Sequence, residues 1–520
     1  MRGVLVFAPH ADPTYTPLGL AALGAHVRAE APDCELVPLD LNFAWWQQRA
    51  DADPDLGTLR TAWRDGGPGF DDPLQVAARH RTWRRATAEA DAWVPALRRW
   101  LEHDELAPDL RTFLEFAAGR VLAAEPRWIG FSVMYPAQVL PALAIAKHLA
   151  EQVFVSSERP LLVLGGASAT ALAPREVLGA CPWVDAVFAG EGEQGLLQLL
   201  RGEPAAAVPG LAHRQGDRIR LNRKPDTLAA ASVPLPLFDG LAPEDRWNPV
   251  PVLPVVFSRG CKWRRCRFCA HNLSYSGYRR QAAARFADYL GLLQATRGAD
   301  HFYFADQYVD AEDLVALSEA ILARGLRVAF HVMGRPTAAY SRERLALMAE
   351  AGCRWISWGV ETGSARLLEV CGKGTTPGEI RQVLTDAAAV GIHNLAMMIL
   401  GLPTSTDRDL QETMDLVAEL GPAAGEVTSS RFQLFDRTPF AVQPAKWGLR
   451  ITGREVLFAR GGRPVHSLRL FHQEQAADGS WRPPRGPLEV ARWDEFRRWT
   501  LPASGFEHLG CEHTLLAADR

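Results

Sequence analysis

Ser258-Arg-Gly-Cys261-Lys-Trp-Arg-Arg-Cys266-Arg-Phe-Cys269 brings three thiols into one short loop, with four residues between the first pair and two between the second. That crowding points to metal. A tetrahedral structural zinc site takes four Cys or His ligands, usually as two pairs; His271 is available as a fourth, but no second pair lies elsewhere in the chain. Three thiolates can instead hold three irons of a 4Fe-4S cluster and leave the fourth iron open to a bidentate substrate, whereas electron-transfer clusters normally use four Cys. An open iron implies catalysis. Arg259, Lys262, Arg264, Arg265 and Arg267 surround the loop and are expected to lower the thiol pKa values and to offset the charge of a thiolate-ligated cluster.

Outward from this loop the chain alternates strands and amphipathic helices. Strands are expected near 255–257, 301–304, 327–332, 355–360, 394–399 and 427–435, and six βα units suggest a partial barrel over 251–440. In such a barrel function gathers at the carboxyl ends of the strands. The polar and glycine residues there are Asp306, Gln307, His331, Gly334, Arg335, Glu361, Gly401 and Gln433. Residues 1–202 read as an α/β, doubly wound domain with strands at Val4–Phe7, 35–41, 128–133, 161–164 and 186–189, carrying a Trp- and Arg-rich helical insertion over about 43–127. The proline-rich stretch 203–250 reads as a linker with a weak strand signal at Ile219–Leu221, and 441–520 as a small α+β appendage. Trp447, Trp481, Trp493 and Trp499 in that appendage are candidate substrate walls, with core or surface packing as the plainer reading.

Composition narrows the classes. The chain has 520 residues, 48% hydrophobic and 22% charged, with a formal charge of -3, which gives no bulk attraction to nucleic acid or anionic membranes. No apolar run approaches the roughly 20 residues needed to span a bilayer, and the opening MRGVLVFAPH reads as a strand rather than a leader, so the cytoplasm is expected. Cys34, Cys181, Cys353, Cys371 and Cys511 lie far apart and read as small buried hydrophobes, Cys371 alone lying next to the candidate site.

The segment 258–279, SRGCKWRRCRFCAHNLSYSGYR, resembles the radical S-adenosylmethionine enzymes, in the branch whose loop reads Gly-Cys-x-Trp followed by Cys-x-Phe-Cys. The commonest family spacing is three then two, so the extra residue before Cys266 departs from it. The resemblance implies that Cys261, Cys266 and Cys269 bind the cluster. It also implies that Gly359-Val-Glu361-Thr-Gly363-Ser364 and Gly372-Lys-Gly374 serve the ribose and amino-acid end of S-adenosylmethionine, and that Gly401-Leu-Pro403 passes near its adenine. Phe268, Asp306, Gly334 and Gln433 complete the expected S-adenosylmethionine set. A small-molecule or peptide substrate and an external electron donor of flavodoxin or ferredoxin type are implied as well.

Gly190-Glu-Gly192-Glu-Gln-Gly195 matches the G-x-G-x-x-G pattern, but it lies in the last βα unit, and Glu191 and Glu193 would repel a pyrophosphate. The domain instead resembles the cobalamin-binding domain that precedes the barrel in a large radical S-adenosylmethionine subgroup. The matching pieces are Thr16-Pro-Leu-Gly19, Leu164-Gly165-Gly166 and Val184-Asp185 leading into Gly190-Glu191-Gly192-Glu193. The Asp-x-His-x-x-Gly motif of cobalamin carriers is absent. Residues of Tyr135-Pro-Ala-Gln138 are therefore expected below the cobalt, with His10 as the alternative lower ligand. Cobalamin beside reductive cleavage of S-adenosylmethionine implies C-methylation of an unactivated carbon in a natural product or ribosomal peptide. The rivals are a radical rearrangement or cyclisation without methyl transfer, and a non-catalytic iron-sulfur or zinc sensor.

Overall fold

Val4, Leu5, Val6 and Phe7 of β1 (Arg2–Phe7) are all buried, as both faces of a central parallel strand must be. The protein is described here by a computed structural model, covering residues 2–65, 73–154, 159–224, 227–229, 235–273, 275 and 277–500. β1 pairs in parallel with β2 (Glu35–Asp40) on one side and β3 (Trp128–Ser132) on the other. β4 (Leu161–Gly165) and β5 (Ala186–Phe188) continue outward, giving the order β2-β1-β3-β4-β5 of a doubly wound sheet with its switch point between β1 and β3. The sheet does not end there. β6 (Leu211–Gln215) and β7 (Arg218–Leu221) add an antiparallel hairpin to the β5 edge, so the weak strand signal inside the proline-rich stretch is the outer half of that hairpin.

Among the described residues, five helices between β2 and β3 form the insertion: Leu41–Ala52, Pro54–Asp65, Pro73–Asp91, Val94–His103 and Pro108–Leu122. Trp45, Trp46, Trp63 and Trp100 are buried in one core with the sheet. Trp46 keeps its indole N–H satisfied by donating to the Ala11 carbonyl at 2.7 Å, as a buried indole should. The tryptophans of this segment are thus mainly core.

By its contacts the chain divides into two compact units, Met1–Asn248 with Glu455–Leu468, and Pro249–Arg454 with Arg469–Arg520. The second contains six parallel strands in sequential order: β8 (Val252–Val255), β11 (His301–Phe304), β12 (Ala329–Gly334), β13 (Cys353–Glu361), β14 (His393–Leu400) and β15 (Glu426–Arg431). Between β8 and β11 lies a two-stranded ribbon, β9 (Ser258–Arg259) with β10 (Arg279–Arg280). Helices link the later strands, as sequential parallel pairing requires. The sixth strand stops at Arg431, two residues before Gln433, and β16 (Leu434–Phe435) joins a separate antiparallel sheet with β17 (Leu449–Arg460), β18 (Arg463–Gln475) and β19 (Trp481–Arg482). Gly461 and Gly462, both at positive φ, make the two-residue turn between β17 and β18. The helix Gly486–Thr500 follows. Among the described residues no helix is long and apolar enough to cross a membrane.

One buried amide ties the strands that carry the site. Asn394 on β14 accepts from the Trp358 indole of β13 at 2.7 Å and donates to the carbonyls of Leu384 and Ala423, each at 2.8 Å. Leucine at 394 would fill similar volume, leave the Trp358 indole N–H and the Ala423 carbonyl without this partner, and take from the Leu384 carbonyl only the bond it makes beyond its own helix. Asn394→Leu is expected to destabilise the chain by about 2 kcal/mol or more, since each buried unsatisfied group costs about 1–3. Denaturant midpoints of the two proteins at unchanged slope measure it.

Candidate functional site

The thiol loop begins where β8 hands over to the ribbon, and Asp306 at the end of β11 fixes that point. Its carboxylate accepts from the Phe257 N–H at 3.0 Å, the Ser258 N–H at 2.5 Å and the Ser258 hydroxyl at 2.6 Å. Burial pushes this carboxyl up to about 7, against the pull of those donors. A carboxylate so engaged is not presented to a ligand. Asp306, expected to serve S-adenosylmethionine, has its oxygens on the root of the loop.

The loop is then clasped to the turn that follows β13. Trp263 lies over Gly374, where φ is +67° and any Cβ would overlap the indole, and its N–H donates to the Gly372 carbonyl at 2.8 Å. Arg265 and Arg335 stack on the same indole, their guanidinium carbons 4.9 and 4.2 Å from its centroid. The Arg335 guanidinium also donates to the Gly374 carbonyl. The Arg267 N–H donates to the Cys371 carbonyl at 2.8 Å, and its guanidinium to the carbonyls of Glu369 and Val370 at 2.6 and 2.7 Å. Arg264 takes a φ of +51°, which lets the loop accommodate its extra residue and still close. Gly372 and Gly374, in the stretch expected to serve the ribose and amino-acid end of S-adenosylmethionine, make room for this clasp.

Cys261, Cys266 and Cys269 are free and half-buried, and each lies within the electrostatic reach of the others. Burial pushes the Cys266 thiol up to about 11, with Lys373 pulling the other way. The expected lowering by the loop's own cations is not found. Lys262 is paired with Asp310 at 3.1 Å, and Arg265 and Arg267 are spent on the clasp. Among the described residues no three His, Cys, Asp or Glu side chains converge on a single ion. In a cubane each thiolate binds a different iron, so three separated, mutually close thiols on one loop suit that group. His271 sits on an exposed turn, where its carbonyl accepts from Gln307 at 3.0 Å.

Beside the thiols lies a buried ion pair. Lys373 Nζ reaches Glu361 Oε1 at 2.6 Å, and both residues are buried. Gly359 makes space for it, since a Cβ there would collide with the ammonium and stand 2.8 Å from the Glu361 carboxylate. Glu361 itself has a φ of +66°, and the turn after it is locked by Gly363, whose N–H donates to the Thr413 hydroxyl at 2.9 Å.

The remaining expected S-adenosylmethionine residues separate. Phe268 packs against the cluster of Leu367, Cys371, Leu402, Leu434 and Phe440, so Cys371 is a core residue. Gly334 gives way to Trp358, whose ring a Cβ would meet at 2.7 Å. Gly401, at φ +73°, is pressed against the backbone of Gly486, and Glu489 of the final helix accepts the Gly401 N–H at 2.7 Å and the Ser405 hydroxyl at 2.5 Å. Gln433 is exposed beyond the end of β15. Of the candidate walls, Trp493 is fully buried, Trp447 packs edge-on to Phe440, and Arg450 covers Trp481; the Trp499 side chain lies outside the described residues.

In the first unit the expected cobalamin residues ring the carboxyl ends of β1, β3, β4 and β5. Tyr135 stacks on Tyr15 with ring centroids 6.2 Å apart, across the switch point. Thr16 is buried there, and a Cβ at Gly19 would approach the Ser132 hydroxyl of β3 to 3.2 Å. Gln138, expected below the cobalt, is bonded to backbone. It is fully buried, accepts from the Met134 and Tyr135 N–H groups at 2.9 Å each and donates to the Ala8 carbonyl at 2.5 Å, which bridges the ends of β1 and β3. Gly166 is filled by the Val133 backbone, and Gly165 rests on Phe188, whereas Gly190 and Gly192, flanking Glu191, have open space where a side chain would stand. His10 is turned between Trp45 and Trp46, its Nδ1 3.9 Å from Asp91.

Residues 255–417 match the family described as the radical SAM superfamily. Over 332 residues the chain is 29% identical to an uncharacterized methyltransferase of Pyrococcus horikoshii, a stretch that covers 61% of this chain and 69% of that one. It is 26% identical over 330 residues to an anaerobic magnesium-protoporphyrin IX monomethyl ester cyclase of Cereibacter sphaeroides, covering 59% and 52%. Among solved structures, the cobalamin-dependent S-adenosylmethionine radical enzyme OxsB, with aqua-cobalamin and S-adenosylmethionine bound, superposes with a TM-score of 0.65 at 16% identity, over 90% of this chain and 64% of OxsB. The chain thus spans only about half of the cyclase and under two thirds of OxsB.

The task given to Asp306 is open to test. Asp306→Asn turns an N–H₂ toward donors that need an acceptor, and iron retained after anaerobic reconstitution and gel filtration is expected to fall. Affinity for S-adenosylmethionine per iron-loaded chain should stay the same. Because the folded carboxyl is raised above its unfolded value of about 4, it contributes stability that is complete at low pH and is lost as pH rises through about 7. That slope should vanish in the variant. Full iron with weakened S-adenosylmethionine binding would return Asp306 to the ligand set.

Proposed function

We propose, for a chain whose residues 255–417 match the radical SAM superfamily, a cobalamin-dependent C-methyltransferase acting on an unactivated carbon of a natural product or ribosomal peptide. The observation that carries this reading is the pairing, in one chain, of a three-thiol loop clasped beside a buried Glu–Lys pair with a β2-β1-β3-β4-β5 sheet whose switch point is lined by Tyr15, Thr16 and Tyr135. The Pyrococcus relative's name and the ligands of OxsB support it.

Cys261, Cys266 and Cys269 would hold the 4Fe-4S cluster, and the ends of β1, β3 and β5 the cobalamin. When bound, the cluster supplies the electron that cleaves S-adenosylmethionine, and cobalamin carries the methyl group. The chain's own part is positional. Asp306 roots the loop, the Trp263 clasp fixes its tip, and Gly190 and Gly192 leave room at the edge of the switch-point crevice. A small-molecule or peptide substrate, a flavodoxin- or ferredoxin-type donor and a cytoplasmic setting belong to the same proposal. A second reading, radical rearrangement or cyclisation without methyl transfer, is favoured by the name of the Cereibacter relative.

Two measurements separate these readings. Anaerobic reconstitution of the Cys261→Ala/Cys266→Ala/Cys269→Ala variant should give no iron and no thiolate-to-iron absorbance; full iron would end the cluster assignment. With reduced, cobalamin-loaded protein, substrate and methyl-deuterated S-adenosylmethionine, a methylase places label in product and releases one S-adenosylhomocysteine and one 5′-deoxyadenosine. Deoxyadenosine without stoichiometric S-adenosylhomocysteine selects the cyclisation reading, and a chain that stays cobalamin-free after folding with excess cofactor removes the methylase.

A further inference from the structure

We infer that Lys373 is a positioning residue for electron entry: its buried ammonium, shared between Glu361 and the thiol loop, sets how readily the cluster is reduced. This rests on the three-thiol assignment and goes beyond it.

Lys373 is fixed by its neighbours on both sides. Gly372 and Gly374 are each pressed on the loop, the first against the Arg265 carbonyl, 2.7 Å from where a Cβ would stand, and the second under Trp263. The lysine between them therefore cannot move without the loop. Its side chain is 8% exposed and bonds Glu361 Oε1 at 2.6 Å in a space that Gly359 leaves empty. Its field acts on both Cys266 and Cys269. Of the loop's own cations, Lys262 is engaged with a carboxylate, Arg267 with carbonyls and Arg265 with the Trp263 ring, while Arg264 is exposed. Among the described residues, Lys373 is thus the buried cation pinned to the loop.

The sign follows from charge. Reduction adds one negative charge to the cluster, which a nearby fixed cation stabilises and a nearby carboxylate opposes, with little solvent screening at a buried site. Removing Lys373 deletes the cation and also leaves Glu361 uncompensated, so the two effects add. Removing the charge of Glu361 acts the opposite way. Deleting both removes a neutral pair.

The experiment is an EPR-monitored redox titration of the full chain, reconstituted anaerobically with iron and sulfide and without S-adenosylmethionine, with iron per chain measured alongside. Lys373→Met is expected to lower the reduced-to-oxidised ratio at fixed poise about tenfold, a shift of about 59 mV for a one-electron couple. Glu361→Gln is expected to raise that ratio, and Lys373→Met/Glu361→Gln to fall between the two singles. A merely structural role would move both singles the same way, and that result, or unchanged potentials at full iron content, overturns the inference. If Lys373→Met does not fold, Glu361→Gln decides alone, since a potential that fails to rise overturns it. Wild-type chain that takes up no iron overturns the three-thiol assignment and this inference together.

Discussion

The clasp of Trp263 on the Gly372–Gly374 turn is the contact on which the site depends, because it converts a flexible cysteine loop into part of the barrel. The ring meets backbone on one face, its N–H is satisfied by the Gly372 carbonyl, and two guanidinium groups stack on it. Stacked cations on an indole are each worth about 0.5–2 kcal/mol. Arg267 repeats the attachment from the other side of Cys266 by capping the carbonyls at the end of the helix Ala365–Cys371. A loop with four residues between its first two cysteines would otherwise have the freedom to collapse. Anchors on both flanks of Cys266 remove it.

Three buried carboxylates brace the mouth of the barrel, each in a different way. Asp306 takes three donors from the root of the loop, Glu361 takes the ammonium of Lys373, and Glu489 takes the Gly401 N–H and the Ser405 hydroxyl. None is left without a partner, as burial of a charge demands. The consequence is rigidity where geometry matters most: the ends of β8, β13 and β14 are tied by charge-assisted bonds rather than by apolar contact, and such bonds fix direction as well as distance.

Much of this was legible in the sequence, for physical reasons that can be stated. Strand positions follow from apolar runs bounded by turn residues, and 301–304 and 353–361 stand close to where periodicity places them. The three thiols announce themselves by spacing alone. What the sequence conceals is the partner of each special residue. Gly401 looks like an opening for a flat ligand, yet its neighbour is Gly486, 85 residues later. Gln138 looks like a loop residue facing a cofactor, yet it closes backbone groups of Ala8, just past β1, and of its own loop. A strand-end carboxylate reads identically whether it binds a ligand or a backbone N–H, so Asp306 could not be told from Glu361. The hairpin Leu211–Leu221 was obscured by prolines, which mark its flanks rather than its strands.

The same logic sharpens the first unit. Glycines at strand ends suit a large cofactor only where they border empty space, and the four expected positions divide on that test. Gly166 is occupied by the protein's own atoms, an added Cβ standing 2.5 Å from the Val133 carbonyl oxygen, which explains the packing of β4 against the loop after β3, while at Gly165 a Cβ would rest at ordinary contact distance, 3.6 Å, from Phe188. Gly190 and Gly192 border open space at the end of β5. Between that edge and the Tyr15–Tyr135 stack lies the stretch of strand ends where an open α/β sheet binds ligands. A corrin over this stretch would meet tyrosine and threonine rather than a ligating imidazole, since His10 is held among tryptophans.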